Sequence, residues 1–245
     1  MTKIINRNTR EICGLVDQII EGPVDKSDYR FIFLDLNEAL KKGLGYDDVV
    51  LLCETVIKIA KTKNRILRHL EKGFWNFINE IAFYSISTGK LKITENEQLS
   101  PNTAYAKLNK KILSRLIGLA QEILEIKDDK SKGSDLRRSE SLILIGDLIN
   151  YYDIPIAKKL FVESINSKNV KEQYAALEGL EHYYSVSDDE IEDDLIKDLK
   201  RIKEETDERS VASTCLQIMI NVGLIDQLTA VFEMDDWKDD HYKFR

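Results

Sequence analysis

Apolar residues recur at intervals of three and four along nearly the whole chain of 245 residues. This spacing places them on one face of an α-helix and is typical of amphipathic helices. The first such stripe consists of Ile12, Val16 and Ile19, and a capping box formed by Asn8 and Glu11 predicts where its helix begins. The chain contains only 11 Gly and 3 Pro. Because sandwiches and barrels need more frequent turn residues, the sequence predicts an all-α fold.

The charged segment at 128–135 (DDKSKGSD) is the clearest linker in the chain. It either divides two domains or joins two layers of one domain. Because the sequence does not change character across it, we expect a single α-helical domain. The parts of this domain are N-terminal helical hairpins at 1–127, the linker at 128–135, helical repeats at 136–237 and an acidic, polar tail at 238–245.

The helices predicted after the linker form pairs that recur at intervals of about 32 to 38 residues, a period typical of helical-repeat proteins. Leu148 with Tyr151 and Tyr152 forms an L-x-x-Y-Y pattern, which returns 32 residues later at Leu180. A two-helix unit cannot bury its apolar faces alone and must stack on a neighbour. The periodicity assigns the stripes to the core, including the last one, which comprises Leu224, Leu228 and Val231.

The segment from Ser134 to Trp237 resembles HEAT-like repeats. Val170–Leu180 (VKEQYAALEGL) and Arg209–Leu216 (RSVASTCL) look like the first helices of two such units. The resemblance covers about 100 of the 245 residues. It implies a right-handed α–α superhelix of stacked helical hairpins. An irregular helical bundle is the alternative, and it buries the same stripes.

Sequence motifs for catalysis are lacking. The chain has no P-loop, no H-E-x-x-H and no G-x-S-x-G. Cys13, Cys53 and Cys215 are far apart and form no C-x-x-C, so we expect buried thiols rather than a disulfide or zinc site. The acidic clusters near the C-terminus are better explained as solvated surface than as a cation site. We therefore expect no catalytic residues, no metal and no cofactor.

Charge is distributed unevenly along the chain, whose net charge is −7. Residues 187–245 hold 17 acidic and 8 basic side chains, whereas residues 58–115 hold 12 basic and 4 acidic ones. Such asymmetry attracts partners of opposite charge, although solvated helix faces explain both stretches equally well. Some HEAT-like proteins are DNA glycosylases or nucleic-acid scaffolds, so the resemblance adds a duplex-binding alternative. The basic residues assigned to that alternative are Lys58, Lys61, Arg65, Arg68, Lys107, Lys110, Lys111 and Arg115.

The main functional hypothesis is a non-catalytic module that binds another protein, and the acidic residues at 187–245 favour a basic partner. A narrower version is a bacterial immunity protein that neutralises a co-encoded basic toxin. Neither a leader sequence nor an apolar run long enough to span a bilayer is evident, so we expect a cytoplasmic protein with no membrane contact. The residues expected to contact the protein partner are Tyr151, Tyr152, His182, Tyr183, Tyr184, Asp193, Asp194, Asp235, Asp236 and Trp237.

Overall fold

The computed structural model describes residues 8–21, 32, 34–36, 38, 44–62, 67–90, 92–93, 99–100, 103–126 and 134–242. The predicted all-α class is confirmed, with one short two-stranded ladder in addition: Lys92–Ile93 (β1) pairs antiparallel with Leu99–Ser100 (β2). The helices whose bounds the described residues define are α1 (Thr9–Glu21), α2 (Tyr46–Lys61), α3 (Leu67–Lys90), α4 (Thr103–Glu125), α5 (Ser134–Ile149), α6 (Ala157–Ser164), α7 (Val170–Val186), α8 (Asp193–Glu205), α9 (Arg209–Asn221) and α10 (Gln227–Tyr242).

The chain divides into two compact units, Met1–Leu144 (unit 1) and Ile145–Arg245 (unit 2), and the division falls within α5. Within the described residues, none of the helices combines the length and the apolar character that crossing a bilayer requires. All three cysteines are buried and free. Desolvation by burial raises the pKa of Cys13 to about 11 and the pKa of Cys215 to about 12, so both thiols stay protonated at neutral pH.

Unit 1 contains α1 to α4 and the first part of α5, and within it α2 packs against α1, α3 and α4. The predicted stripe of α1 is buried, and its predicted capping box is confirmed. The Asn8 backbone N–H donates to Glu11 Oε2 at 2.8 Å, and the Glu11 N–H donates to Asn8 Oδ1 at 3.0 Å. Two aromatic side chains of α3, Phe74 and Trp75, are completely buried and contribute to the core of the unit.

Unit 2 contains α6 to α10, together with the end of α5. Helix α7 packs against α6 and α9, and α9 also packs against α8. Helices α5 and α7 approach each other closely at two glycines, where a Cβ built on Gly146 would lie 3.2 Å from the Cα of Gly179. Two helices can pass this closely only where neither carries a side chain at the crossing.

A glycine turn ends α9 and sets the position of the segment that follows. Gly223 has a φ of +71°, in the left-handed region that favours glycine. Its N–H donates to the Ile220 carbonyl, and the Leu224 N–H donates to the Met219 carbonyl. The turn thereby satisfies carbonyl groups at the end of the helix and leads the chain through Leu224 into α10.

Candidate protein-interaction surface

Tyr183 and Tyr184, two of the residues predicted to bind a partner, lie near the end of α7 and contact a lysine of the same chain. The Nζ of Lys158 lies 5.7 Å from the ring centroid of Tyr183 and 5.3 Å from that of Tyr184. The two rings meet edge to face, with centroids 5.3 Å apart. Lys158 Nζ also lies 2.9 Å from Glu192 Oε1. The cation is therefore held by two aromatic rings and a carboxylate, and it joins α6 to α7 and to the start of α8.

The ion pair with Lys158 sets the titration behaviour of Glu192. The hydrogen bond from Lys158 lowers the pKa of Glu192, an effect that outweighs its partial burial. Burial lowers the pKa of Lys158, but its hydrogen bonds with Glu192 and Tyr184 outweigh that effect and raise the pKa overall. The stabilisation from Glu192 is thus fully present above its unfolded pKa and is lost as the pH falls through its folded value.

We expect Lys158→Met to move the pKa of Glu192 upward, toward its ordinary value, because the substitution removes the hydrogen-bonding cation. NMR titration of the Glu192 side chain measures the shift directly. Lys159→Met is the matched control, since Lys159 is the neighbouring residue and is 70% exposed at its side chain. An unchanged Glu192 pKa in Lys158→Met would contradict the assigned contact.

An acidic groove lies beside this cluster. It encloses about 490 Å³, and its lining includes Asp188, Asp189 and Glu190 from the segment between α7 and α8. All three residues are exposed. The hydroxyl of Tyr183 donates to Asp189, whereas Asp188 and Glu190 form no ion pair with any residue that the structure describes. The other described lining residues are Tyr184, Ser187, Ile191, Ile196, Asn221, Val222 and Leu224.

Leu224 leads from this groove to a group of exposed apolar side chains on α10. Leu228 is 66% exposed, Val231 56% and Phe232 62%, whereas Leu224 itself is 43% exposed. The three helical residues share one face because they are three and four positions apart. A different face of α10 packs against the rest of unit 2. On that face Ala230 is buried and Glu233 pairs with Lys203 of α8. We call Leu224, Leu228, Val231 and Phe232 the apolar face.

The prediction that Leu224, Leu228 and Val231 belong to the core is wrong. Their spacing does define a helix face, but α10 packs on α9 through its opposite side and leaves this face in solvent. Phe232 completes the face but is not part of the predicted stripe, although it follows Leu228 by four positions. Four apolar positions at helical spacing near an acidic stretch are the sequence signal that identifies this surface.

The other predicted partner-binding residues of unit 2 differ in accessibility. Tyr151 is 49% exposed, but Tyr184 is only 4% exposed and offers a partner little surface. His182 is half-buried, and its Nδ1 lies 3.1 Å from the Gly146 carbonyl oxygen. Asp193 is exposed. Asp194 is also exposed and pairs with Lys197 at 2.8 Å. Tyr152 is half-buried, and the side chains of Asp235, Asp236 and Trp237 lie outside the described residues.

The predicted nucleic-acid residues of unit 1 do not all lie together. Lys58 pairs with Asp17 of α1 at 3.0 Å, which neutralises its charge. Lys61 is exposed at the opposite end of α2 from Tyr46. Arg65 and the side chain of Arg68 lie outside the described residues. The remaining four cations, Lys107, Lys110, Lys111 and Arg115, line one groove of α4.

Among the described residues, no group of three or more His, Cys, Asp or Glu side chains is arranged to bind a metal ion. No protein-family model matches the chain, and comparison with curated proteins and with solved structures finds no significant similarity. Functional inference for this protein therefore depends on its own surfaces.

Proposed function

We propose that the protein is a non-catalytic protein-interaction module, and that unit 2 binds a partner segment that is both apolar and basic. The observation that carries this proposal is the position of Leu224, which lines the acidic groove and also begins the apolar face. One partner segment can therefore place apolar side chains on α10 and basic side chains against Asp188 and Glu190.

The energetics favour burial of this surface by a partner. A large apolar side chain gains about 1.5–3 kcal/mol when it is fully removed from water. Clustered exposed apolar side chains with a polar surround are characteristic of interaction sites. In such a site the apolar contacts supply most of the affinity, and the neighbouring carboxylates accelerate encounter with a partner of positive charge.

A HEAT-like stacking of helical hairpins in unit 2 is the architectural part of the proposal. Its support is a recurring separation between residues that hydrogen-bond across helices. His182 and the Gly146 carbonyl are 36 positions apart, Asn166 and Asp198 are 32 apart, and Asn221 and Glu181 are 40 apart. Contacts between equivalent helices of consecutive two-helix repeats recur at about this separation.

Binding to a defined peptide tests the functional proposal. The probe is a fluorescent amphipathic helical peptide of leucine and lysine, about 18 residues long and hence about five turns. We expect it to bind and its affinity to fall between about 50 mM and 500 mM salt, because the carboxylates are exposed to screening. The Leu228→Ser/Phe232→Ser variant should bind at least about tenfold more weakly in fluorescence anisotropy.

The control variant Leu34→Ser/Phe83→Ser removes the same pair of residue types from unit 1, where they are 59% and 73% exposed. Equal weakening by the control would overturn the proposed site, as would equal binding of a peptide with glutamate in place of lysine. A homodimer that the Leu228→Ser/Phe232→Ser variant disrupts would instead assign the face to a second copy of the chain. If the proposal holds, a co-encoded basic toxin is one partner class with the required chemistry.

A further inference from the structure

A second surface, in unit 1, has the opposite charge. Helix α4 and the first residue of α2 form an open groove of about 670 Å³. Its described lining contains four cationic side chains and no carboxylate. These lining residues are Tyr46, Lys107, Lys110, Lys111, Ser114 and Arg115.

The cations form a row along α4. Lys107, Lys111 and Arg115 follow one another at four-residue intervals, and each interval advances about 6 Å along the helix axis. Neighbouring phosphates of a nucleic-acid strand are separated by six backbone bonds, which span a similar length when the strand is extended. A row of cations with this repeat can contact successive phosphates of one strand.

The charge available to a ligand is mainly that of the lysines. Arg115 donates to Glu122 at 2.9 Å, and its side chain is only 17% exposed. Lys107 and Lys111 are exposed and form no ion pair with any residue that the structure describes. Tyr46 lies beside them and is 37% exposed, so its ring is accessible from the groove. A cationic row with an accessible aromatic ring is the combination that single-strand binders use, since phosphates contact the cations and bases stack on the ring.

We propose that this groove binds single-stranded nucleic acid, with the phosphates on the row from Lys107 to Arg115 and a base stacked on Tyr46. The site is separate from the acidic and apolar surface of unit 2 and does not depend on the function proposed for it. It also differs from the duplex-binding alternative suggested by the sequence, which combined the four cations of α4 with Lys58, Lys61, Arg65 and Arg68.

Fluorescence anisotropy with a labelled oligothymidylate of about 15 nucleotides tests this site in the full chain. We expect binding at low salt, and at least about tenfold weaker binding by Lys107→Ala/Lys111→Ala. The slope of log affinity against log salt should become shallower by about 1.4, because two phosphate contacts are removed. Lys168→Ala/Lys171→Ala is the matched control, since both lysines are exposed and lie in unit 2. Its affinity and slope should equal those of the unmodified protein.

Substitution at Tyr46 separates stacking from charge attraction. Tyr46→Ala should weaken binding several-fold, whereas Tyr46→Phe should retain it, because the ring alone supports stacking. Three results would overturn the proposal: no oligothymidylate binding at low salt, equal weakening by the unit 2 control, or equally tight binding of a duplex without any effect of Tyr46→Ala. Competition by polyglutamate at equal charge concentration would show a site for polyanions in general and would likewise overturn it.

Discussion

Replacing Gly179 with alanine is expected to destabilise unit 2 by about 1–3 kcal/mol, the usual cost of overpacking a core. A Cβ at this position would lie 2.2 Å from Cε1 and 2.4 Å from Cζ of Phe161. Phe161 is completely buried, so its ring cannot move into solvent without losing its packing. Helix α7 also approaches α5 at this position, since a Cβ on Gly146 would lie 3.2 Å from the Cα of Gly179, so a shift of α7 away from Phe161 would change that contact too.

Urea unfolding of Gly179→Ala measures this effect, and Gly14→Ala is the matched control. Gly14 is also helical, but a Cβ there has nothing within 4 Å. The free energy of unfolding of the Gly14→Ala control should rise by up to about 1 kcal/mol, because alanine has a higher helix propensity than glycine. In the double variant Gly179→Ala/Phe161→Leu, the loss of stability caused by the alanine should be smaller, because leucine occupies less space beside its Cβ. A Gly179→Ala protein as stable as Gly14→Ala would contradict the described packing.

Local sequence patterns predicted the helical class and several details of the first helix. The burial of Ile12, Val16 and Ile19 follows from spacing within one helix, and the capping box from two residues three positions apart. These features depend only on neighbours in sequence, which periodicity and capping rules describe directly. Their success explains why the fold class was predictable although the candidate sites were not.

The candidate sites depend on which elements meet, and local patterns do not specify this. The stripe containing Leu228 is correctly helical, but its exposure follows from α10 packing on α9 by the opposite face. Counting charges likewise assigned Lys58 to a basic surface, although Asp17, 41 positions away, pairs with it. The tyrosine pair was identified from its repeat pattern, yet Lys158, which lies between the rings and Glu192, is far away in sequence.

Replacing Arg137 with methionine should destabilise unit 1 by about 3–5 kcal/mol, because it removes a buried cation that hydrogen-bonds to the buried carboxylate of Glu71. Arg137 Nε donates to Glu71 Oε1 at 3.0 Å, and a second guanidinium nitrogen donates to the Ala60 carbonyl. The side chains of Arg137 and Glu71 are only 10% and 3% exposed. Water therefore cannot replace the guanidinium, and the substitution affects α2, α3 and α5 together. Denaturant unfolding with a probe in unit 1 measures the loss.

Comparison with two further variants isolates the cause of this loss. Lys58→Met removes an ion pair of the same length, 3.0 Å, whose side chains are 52% and 39% exposed, and it should cost only about 0–1 kcal/mol. The double variant Glu71→Leu/Arg137→Met removes the buried charge as well as its partner, so it should recover most of the stability. If Arg137→Met lowers the free energy of unfolding no more than Lys58→Met does, burial does not strengthen the ion pair between Arg137 and Glu71. If the double variant is no more stable than Arg137→Met, the arginine stabilises unit 1 through packing and its bond to Ala60 rather than through charge compensation.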